Sequence, residues 1–67
     1  MDTGTTLFER QRPRLFGLAY RMLGTPSDAE DVLHDAWLRL NAQDPAALDD
    51  PEAWLVTVTT RLALDRL

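Results

Sequence analysis

The chain has 67 residues, a formal net charge of −4 and no cysteine, which indicates one small domain without disulfides or a thiolate metal site. The acidic balance argues against strong nonspecific binding of nucleic acid by the isolated domain. No apolar run approaches the roughly 20 residues of a membrane span, and no signal peptide is recognisable. We therefore expect a cytoplasmic protein without membrane contact, and no motif predicts a catalytic, metal or cofactor site.

The first predicted helix extends from about Thr5 to Leu23, where Gly24 supplies a stop. Its main apolar side consists of Phe8, Leu15, Leu18, Ala19 and Met22. Pro13 lacks a backbone donor and clashes with the preceding turn. Because the apolar periodicity continues on both sides of this proline, we expect one kinked helix rather than a helix that begins at Pro13.

The same helix has a basic side, formed by Arg10, Arg14 and Arg21, which align with Gly17 within about 40° of one another. Two interpretations fit this spacing equally well. The arginines contact phosphate groups or an acidic partner, or they pair with aspartates of neighbouring helices. Of the three, Arg21 is the one expected to be internal.

The second predicted helix opens with Ser27 and Glu30 at capping-box spacing and ends near Asn41. Its apolar side carries Ala29, Leu33, Ala36, Trp37 and Leu40. Its acidic side carries Asp28, Asp31 and Asp35, with Leu38 beside them. An Asp35–Arg39 pair is expected to offset part of the repulsion between like charges one turn apart. The acidic side is either a docking surface for a basic partner helix or a solvated face, and spacing alone favours the solvated face.

The third predicted helix follows a linker, Ala42 to Asp50, that could form a short helical turn at 46–48. Asp50 is the expected cap, with Pro51 at the first helical position. The apolar side consists of Trp54, Leu55, Val58 and Leu62. Five consecutive β-branched residues, 56–60, make a strand the competing assignment. The capped start and the apolar spacing favour a helix.

The polar residues of this third helix suit contacts with nucleic acid. Thr57, Thr60 and Arg61 share one side, and Arg66 lies elsewhere near the terminus. Hydroxyls and guanidiniums both donate to phosphate oxygens, although an ordinary exposed side is an equal alternative. Asp65 lies near the apolar side, so we expect it to form a salt bridge, with Arg21 as the candidate partner. No stop signal follows Leu67, which predicts that the chain is part of a longer protein.

Three blocks of the sequence resemble domain 2 of extracytoplasmic-function (ECF, group IV) RNA polymerase sigma factors. Residues 12–24, RPRLFGLAYRMLG, look like its opening helix, and residues 28–39, DAEDVLHDAWLR, are similar to its second. Residues 53–55, AWL, and 61–67, RLALDRL, look like the start and end of its third. The first block is most similar to the subgroup with an extra C-terminal domain related to small α+β ligand-binding folds.

The resemblance implies a compact all-α domain of three packed helices that binds RNA polymerase core and promoter DNA and is not an enzyme. It assigns contact with the clamp helices of the polymerase β′ subunit to Asp28, Asp31, Asp35, Leu38 and Arg39. It assigns capture of a flipped base of the −10 non-template strand to the segment from Asn41 to Asp50, and further contacts with this DNA to the third helix. The linker lacks aromatic residues for stacking on bases. The candidate DNA contacts are Asn41, Gln43, Thr57, Thr60, Arg61 and Arg66. An anti-sigma factor or an intramolecular C-terminal domain is a further implied partner.

These observations predict one domain over residues 1–67 that recognises and melts the −10 element as part of an alternative sigma factor. The alternative function is an acidic helical protein-interaction module without direct DNA contact. The docking interpretation requires that the carboxylates of the acidic side face outward and are not paired with arginines of the same chain.

Overall fold

The computed structural model describes residues 3–67 and the side chains of residues 4–67; Met1 and Asp2 of the predicted domain lie outside this part. Three helices pack around one core: α1 (Thr3–Leu23), α2 (Pro26–Asn41) and α3 (Pro51–Asp65). Each helix contacts the other two, which confirms the predicted three-helix, all-α fold. Within the described residues, no helix combines the length and the apolar character needed to cross a membrane.

One continuous α1 contains Pro13, as predicted, and begins two residues before the predicted start. It ends at Gly24, whose φ of +82° is a left-handed conformation that costs other residues about 1–2 kcal/mol. The Gly24 N–H donates to the Tyr20 carbonyl at 2.8 Å and closes the last turn. The connection to α2 is therefore only two residues long.

The N-terminus of α2 differs from the prediction, because Thr25 and not Ser27 is the capping residue. Thr25 has an extended backbone, φ −132° and ψ 142°, which the following Pro26 favours. Its hydroxyl oxygen accepts from the Asp28 N–H at 3.2 Å and its hydroxyl donates to the Asp28 carboxylate at 2.8 Å. The N-cap thus lies two residues earlier than predicted, and Ser27 is exposed inside the helix.

Two aspartates cap the elements that follow α2. Asp44 accepts from the Ala46 N–H at 3.0 Å and begins a 3-10 turn at Pro45–Ala47, one residue before the predicted turn. Asp50 accepts from the Ala53 N–H at 3.1 Å and begins α3, as predicted. The β-branched run lies within α3, so the helix assignment is correct and the strand alternative is wrong.

The apolar sides of the three helices pack together in one core. Its buried residues are Phe8, Leu15, Ala19, Ala29, Val32, Leu33, Ala36, Leu40 and Leu55. Val32 was not predicted to be buried. Trp37 and Trp54 pack at the edge of the core and are partly exposed. In α3 the buried positions are Leu55, Thr59 and Ala63, so the helix is rotated from the predicted orientation, and a hydroxyl lies among the apolar side chains.

Candidate functional site

The acidic side of α2 faces outward, on the flank opposite the core. The side chain of Asp31 is 60% exposed and that of Asp35 is 45% exposed. Leu38 is 52% exposed, which makes it one of the few large apolar residues on the surface. An apolar side chain beside two carboxylates can bury area against a partner whose charges pair with the acids. Such an arrangement is suited to a basic, amphipathic helix.

The carboxylates of this side are not free of the chain's own arginines, contrary to the expectation from sequence. Arg66 at the end of α3 places Nη1 3.7 Å from Asp31 Oδ2 and Nη2 3.6 Å from Asp35 Oδ2. The Asp35–Arg39 pair predicted within α2 does not form, since Asp35 is paired with Arg66 instead. The requirement that docking places on these carboxylates, no arginine partner in the same chain, is therefore not met at Asp31 and Asp35, and docking rests on the resemblance rather than on free charge. The two contacts lie beyond hydrogen-bond distance between exposed groups, so they are weak.

Asp28 and Arg39, also predicted for polymerase contact, are positioned differently from the central pair. Asp28 is partly buried and its carboxylate accepts from Thr25, so it acts at the helix terminus. Arg39 lies near the other end of α2, where it lines a cleft of about 270 Å³ between α2 and α3. The cleft is also lined by Arg61 and Asp65. One predicted polymerase residue and one predicted DNA residue thus meet in this cleft.

The predicted DNA residues of α3 are not equivalent. Thr57 and Arg61 are exposed one turn apart on its outward side. The Thr60 hydroxyl donates to the Val56 carbonyl at 2.8 Å and is partly buried, so its proton is used within the helix. Asn41 and Gln43 are exposed at the end of α2, next to the linker. The structure therefore leaves Thr57 and Arg61 accessible and brings Arg66 to the acidic side of α2.

The basic side of α1 is exposed, which decides against one of its two interpretations. Within residues 4–67, Arg10, Arg14 and Arg21 make no ion pair, so they do not neutralise aspartates of the other helices. Arg21 is not internal; its Nε donates to the Gly17 carbonyl at 3.3 Å. Asp65 is exposed, and the predicted Arg21–Asp65 bridge is wrong.

Arg14 connects the basic side of α1 with the outward side of α3. It lines a cleft of about 370 Å³ together with Thr57 and with the first turn of α3, including Asp50 and Glu52. The cleft therefore contains one guanidinium, one hydroxyl and two carboxylates. This mixture can pair with both the donors and the acceptors of a polar ligand.

A second set of contacts, between α1 and α2, was not predicted. The Phe8 and Trp37 rings lie 5.3 Å apart at 56°, and the Arg12 guanidinium lies 5.5 Å from the Phe8 ring. Arg12 also reaches Glu30 at 3.4 Å. With His34 these residues line a cleft of about 330 Å³. Only the Glu9–Arg12 spacing, three residues apart on α1, indicated in advance that Arg12 is paired.

The described residues contain no cluster of three or more side chains that could hold a metal ion. The clefts are lined by charged and polar side chains together with apolar ones, among them Phe8, Trp37 and Leu62. They can contribute charge, hydrogen bonds and apolar contact to recognition.

The chain matches the family Sigma-70 region 2 over residues 7–67. It is 50% identical over 60 residues to SigJ, an ECF RNA polymerase sigma factor of Mycobacterium tuberculosis, covering 90% of this chain and 19% of SigJ. It is 36% identical over 66 residues to SigI, a probable ECF RNA polymerase sigma factor of the same organism, covering 98% of this chain and 23% of SigI. The chain thus spans about a fifth of the length of these relatives. No solved structure gave a significant match.

Proposed function

Because the chain belongs to the Sigma-70 region 2 family, in the form found in ECF sigma factors, we propose that it is the polymerase- and promoter-binding domain of an alternative sigma factor. The observation that carries this proposal is the family match, which covers 61 of the chain's 67 residues, from 7 to 67, and so nearly all of the three-helix domain. In this role the domain acts in the cytoplasm, directs transcription initiation and catalyses no reaction.

The acidic side of α2 is the proposed polymerase-docking surface. Asp31, Asp35 and Leu38 supply charge and apolar area on one outward flank, and the clamp helices of the β′ subunit are the proposed partner. Arg39 extends this surface towards α3. Asp28 contributes indirectly, because its bonds with Thr25 fix the start of the helix that carries the other residues.

The outward side of α3 and the adjoining linker are the proposed promoter surface, for the non-template strand of the −10 element. Thr57 and Arg61 are accessible, and Asn41 and Gln43 flank them at the end of α2. Unstacking a base costs a few kcal/mol, so a surface that holds the separated strand stabilises the melted state. The domain's net charge of −4 means that polymerase docking must supply much of the placement on DNA.

The docking surface can be tested with two neighbouring charge reversals on opposite flanks of α2. Asp31→Arg lies in the docking surface, whereas Glu30→Arg lies in the α1–α2 contact, and each variant loses one exposed ion pair. In the full-length protein, we expect Asp31→Arg to weaken binding to a β′ clamp-helix fragment, and the double reversal of Asp31 and Asp35 to arginine to weaken it at least tenfold, about 1.4 kcal/mol. Glu30→Arg should retain binding. Equal affinities for the two variants, with both folded by circular dichroism, would contradict the docking role.

The promoter surface requires a separate measurement. Arg61→Ala in the full-length protein is expected to weaken open-complex formation more than the affinity for core polymerase, because Arg61 lies on the outward side of α3 and outside the Asp31–Asp35 pair. An equal loss of both would argue against a DNA role. Retained open-complex formation would favour the alternative of a protein-interaction module without DNA contact. The further partners implied by the resemblance, an anti-sigma factor or a C-terminal domain of the same protein, stay predictions.

A further inference from the structure

The contact between Arg66 and the acidic side of α2 shows what kind of ligand this surface takes. Asp31 and Asp35 lie one turn apart, and each contributes one carboxylate oxygen to a different nitrogen of one guanidinium, at 3.7 and 3.6 Å. A planar, forked cation can meet two carboxylates at once, whereas an ammonium group is a point charge. The pair of aspartates therefore offers one carboxylate to each of two guanidinium nitrogens, at ion-pair distance.

Arg66 can be displaced from this pair of aspartates. The side chain of Arg66 is 36% exposed, those of its two partners are 60% and 45% exposed, and both distances exceed those of a hydrogen bond. Arg66 also lies at the C-terminal cap of α3, where its backbone N–H bonds back to the carbonyls of Ala63 and Leu64, and its side chain makes the contacts with α2. Exchange of its partner thus requires side-chain rotation, without rearrangement of the core.

We propose that Asp31 and Asp35 form a guanidinium site that Arg66 occupies in the undocked protein and that an arginine of the docking partner takes over. The proposal rests on the docking function assigned above to α2. On docking, Arg66 is released at the end of the helix that carries Thr57 and Arg61, where it can bind a backbone phosphate of the promoter. One residue thereby couples the two surfaces.

The coupling follows from mutual exclusion. Arg66 cannot pair with the aspartates while the partner's arginine does, and it cannot bind phosphate while it pairs with the aspartates. Polymerase docking and DNA binding each favour the released state, so each strengthens the other by the same factor. Because exposed ion pairs are weak, this factor is modest, roughly two- to fivefold.

Arg66→Gln in the full-length protein tests the exchange, because two assays are expected to change in opposite directions. Affinity for the β′ clamp-helix fragment rises roughly two- to fivefold, since the competitor is gone. Affinity of the polymerase-bound protein for single-stranded −10 DNA falls, since a phosphate contact is lost. Arg12→Gln is the matched control for docking: Arg12 also pairs with exposed carboxylates, Glu9 on α1 and Glu30 on α2, and its loss should not change affinity for the clamp-helix fragment.

The outcomes separate the exchange from its alternatives. Weaker docking by Arg66→Gln would make Arg66 a support of the acidic side and overturn the proposal, and so would unchanged docking. Arg66→Lys keeps the charge and loses the two-pronged guanidinium, so its docking affinity should lie between those of the wild type and Arg66→Gln. If Arg66→Gln lowers the melting temperature, Arg66→Lys is used in its place to test the exchange. If Asp31→Arg weakens docking and Arg66→Gln does not strengthen it, the docking function stands and only the exchange fails.

Discussion

Replacement of Thr59 by valine is expected to stabilise the domain. Thr59 is fully buried in α3, and its hydroxyl oxygen has no hydrogen-bond partner. A buried hydroxyl without a partner costs about 1–3 kcal/mol, and a methyl group of nearly equal size has no such cost. We therefore expect Thr59→Val to raise the free energy of unfolding by about 1–2 kcal/mol. In a domain of this size each kcal/mol corresponds to roughly 4–8 °C in melting temperature.

Two other threonines of the same helix provide controls for this prediction. Thr57 is exposed, so Thr57→Val should change stability by less than about 0.5 kcal/mol. Thr60 donates to the Val56 carbonyl, so Thr60→Val loses this hydrogen bond and removes no unpaired hydroxyl. Urea unfolding measures the free energy of unfolding of the three variants. The m-values, the slopes of this free energy against urea concentration, are compared to detect changes in the unfolded state. A destabilised but folded Thr59→Val, or equal effects at Thr57 and Thr59, would refute the reasoning.

The remaining predictions concern the glycines and the basic side of α1. Gly17→Ala should stabilise the domain by about 0.5–1 kcal/mol, because a Cβ there meets nothing within 4 Å and alanine favours the helix. Gly24→Ala should destabilise the domain by about 1–2 kcal/mol, because the φ of Gly24 is +82°. If thermal unfolding shows that both glycine substitutions stabilise the domain, or that both destabilise it, these two predictions are contradicted. Arg10, Arg14 and Arg21 can be replaced together by glutamine in the full-length protein, and binding to single-stranded promoter DNA measured at several salt concentrations. The slope of log K against log salt concentration should become shallower by about two, at roughly 0.7 per lost phosphate contact. An unchanged slope would assign these arginines to an acidic protein partner or to solvent.

The helices could be predicted from sequence because their boundaries are determined locally. Pro51 after Asp50 marks the start of α3 and Gly24 marks the end of α1 by effects that act within one turn of the chain. The predicted N-cap of α2 was wrong because Ser27 and Glu30 have capping-box spacing, and Thr25 and Asp28 are also three residues apart. Pro26 decides between them, since proline belongs at the first helical position and the cap must precede it.

The contacts between helices were harder to predict because they depend on rotation and register. The apolar residues of α3 form a broad stripe, and packing against both α1 and α2 decides that Thr59 lies at its centre. Arg66 meets Asp31 and Asp35 only because the end of α3 lies beside the middle of α2, a relation that no spacing within either helix contains. The sequence therefore indicated the acidic side itself, whereas its pairing with Arg66 depends on how α3 packs against α2.

The distribution of charge along the helices changes what the net charge of −4 implies. Within Thr3–Leu23, α1 has four arginines and one glutamate, whereas α2 has four carboxylates and one arginine. The described domain extends 32 × 20 × 16 Å, and electrostatic fields decay over about 8 Å at physiological ionic strength. An approaching macromolecule is therefore influenced more by the nearer helix than by the sum. The domain behaves as a dipole. It presents the arginine-bearing α1 to nucleic acid and the acidic α2 to a cationic surface.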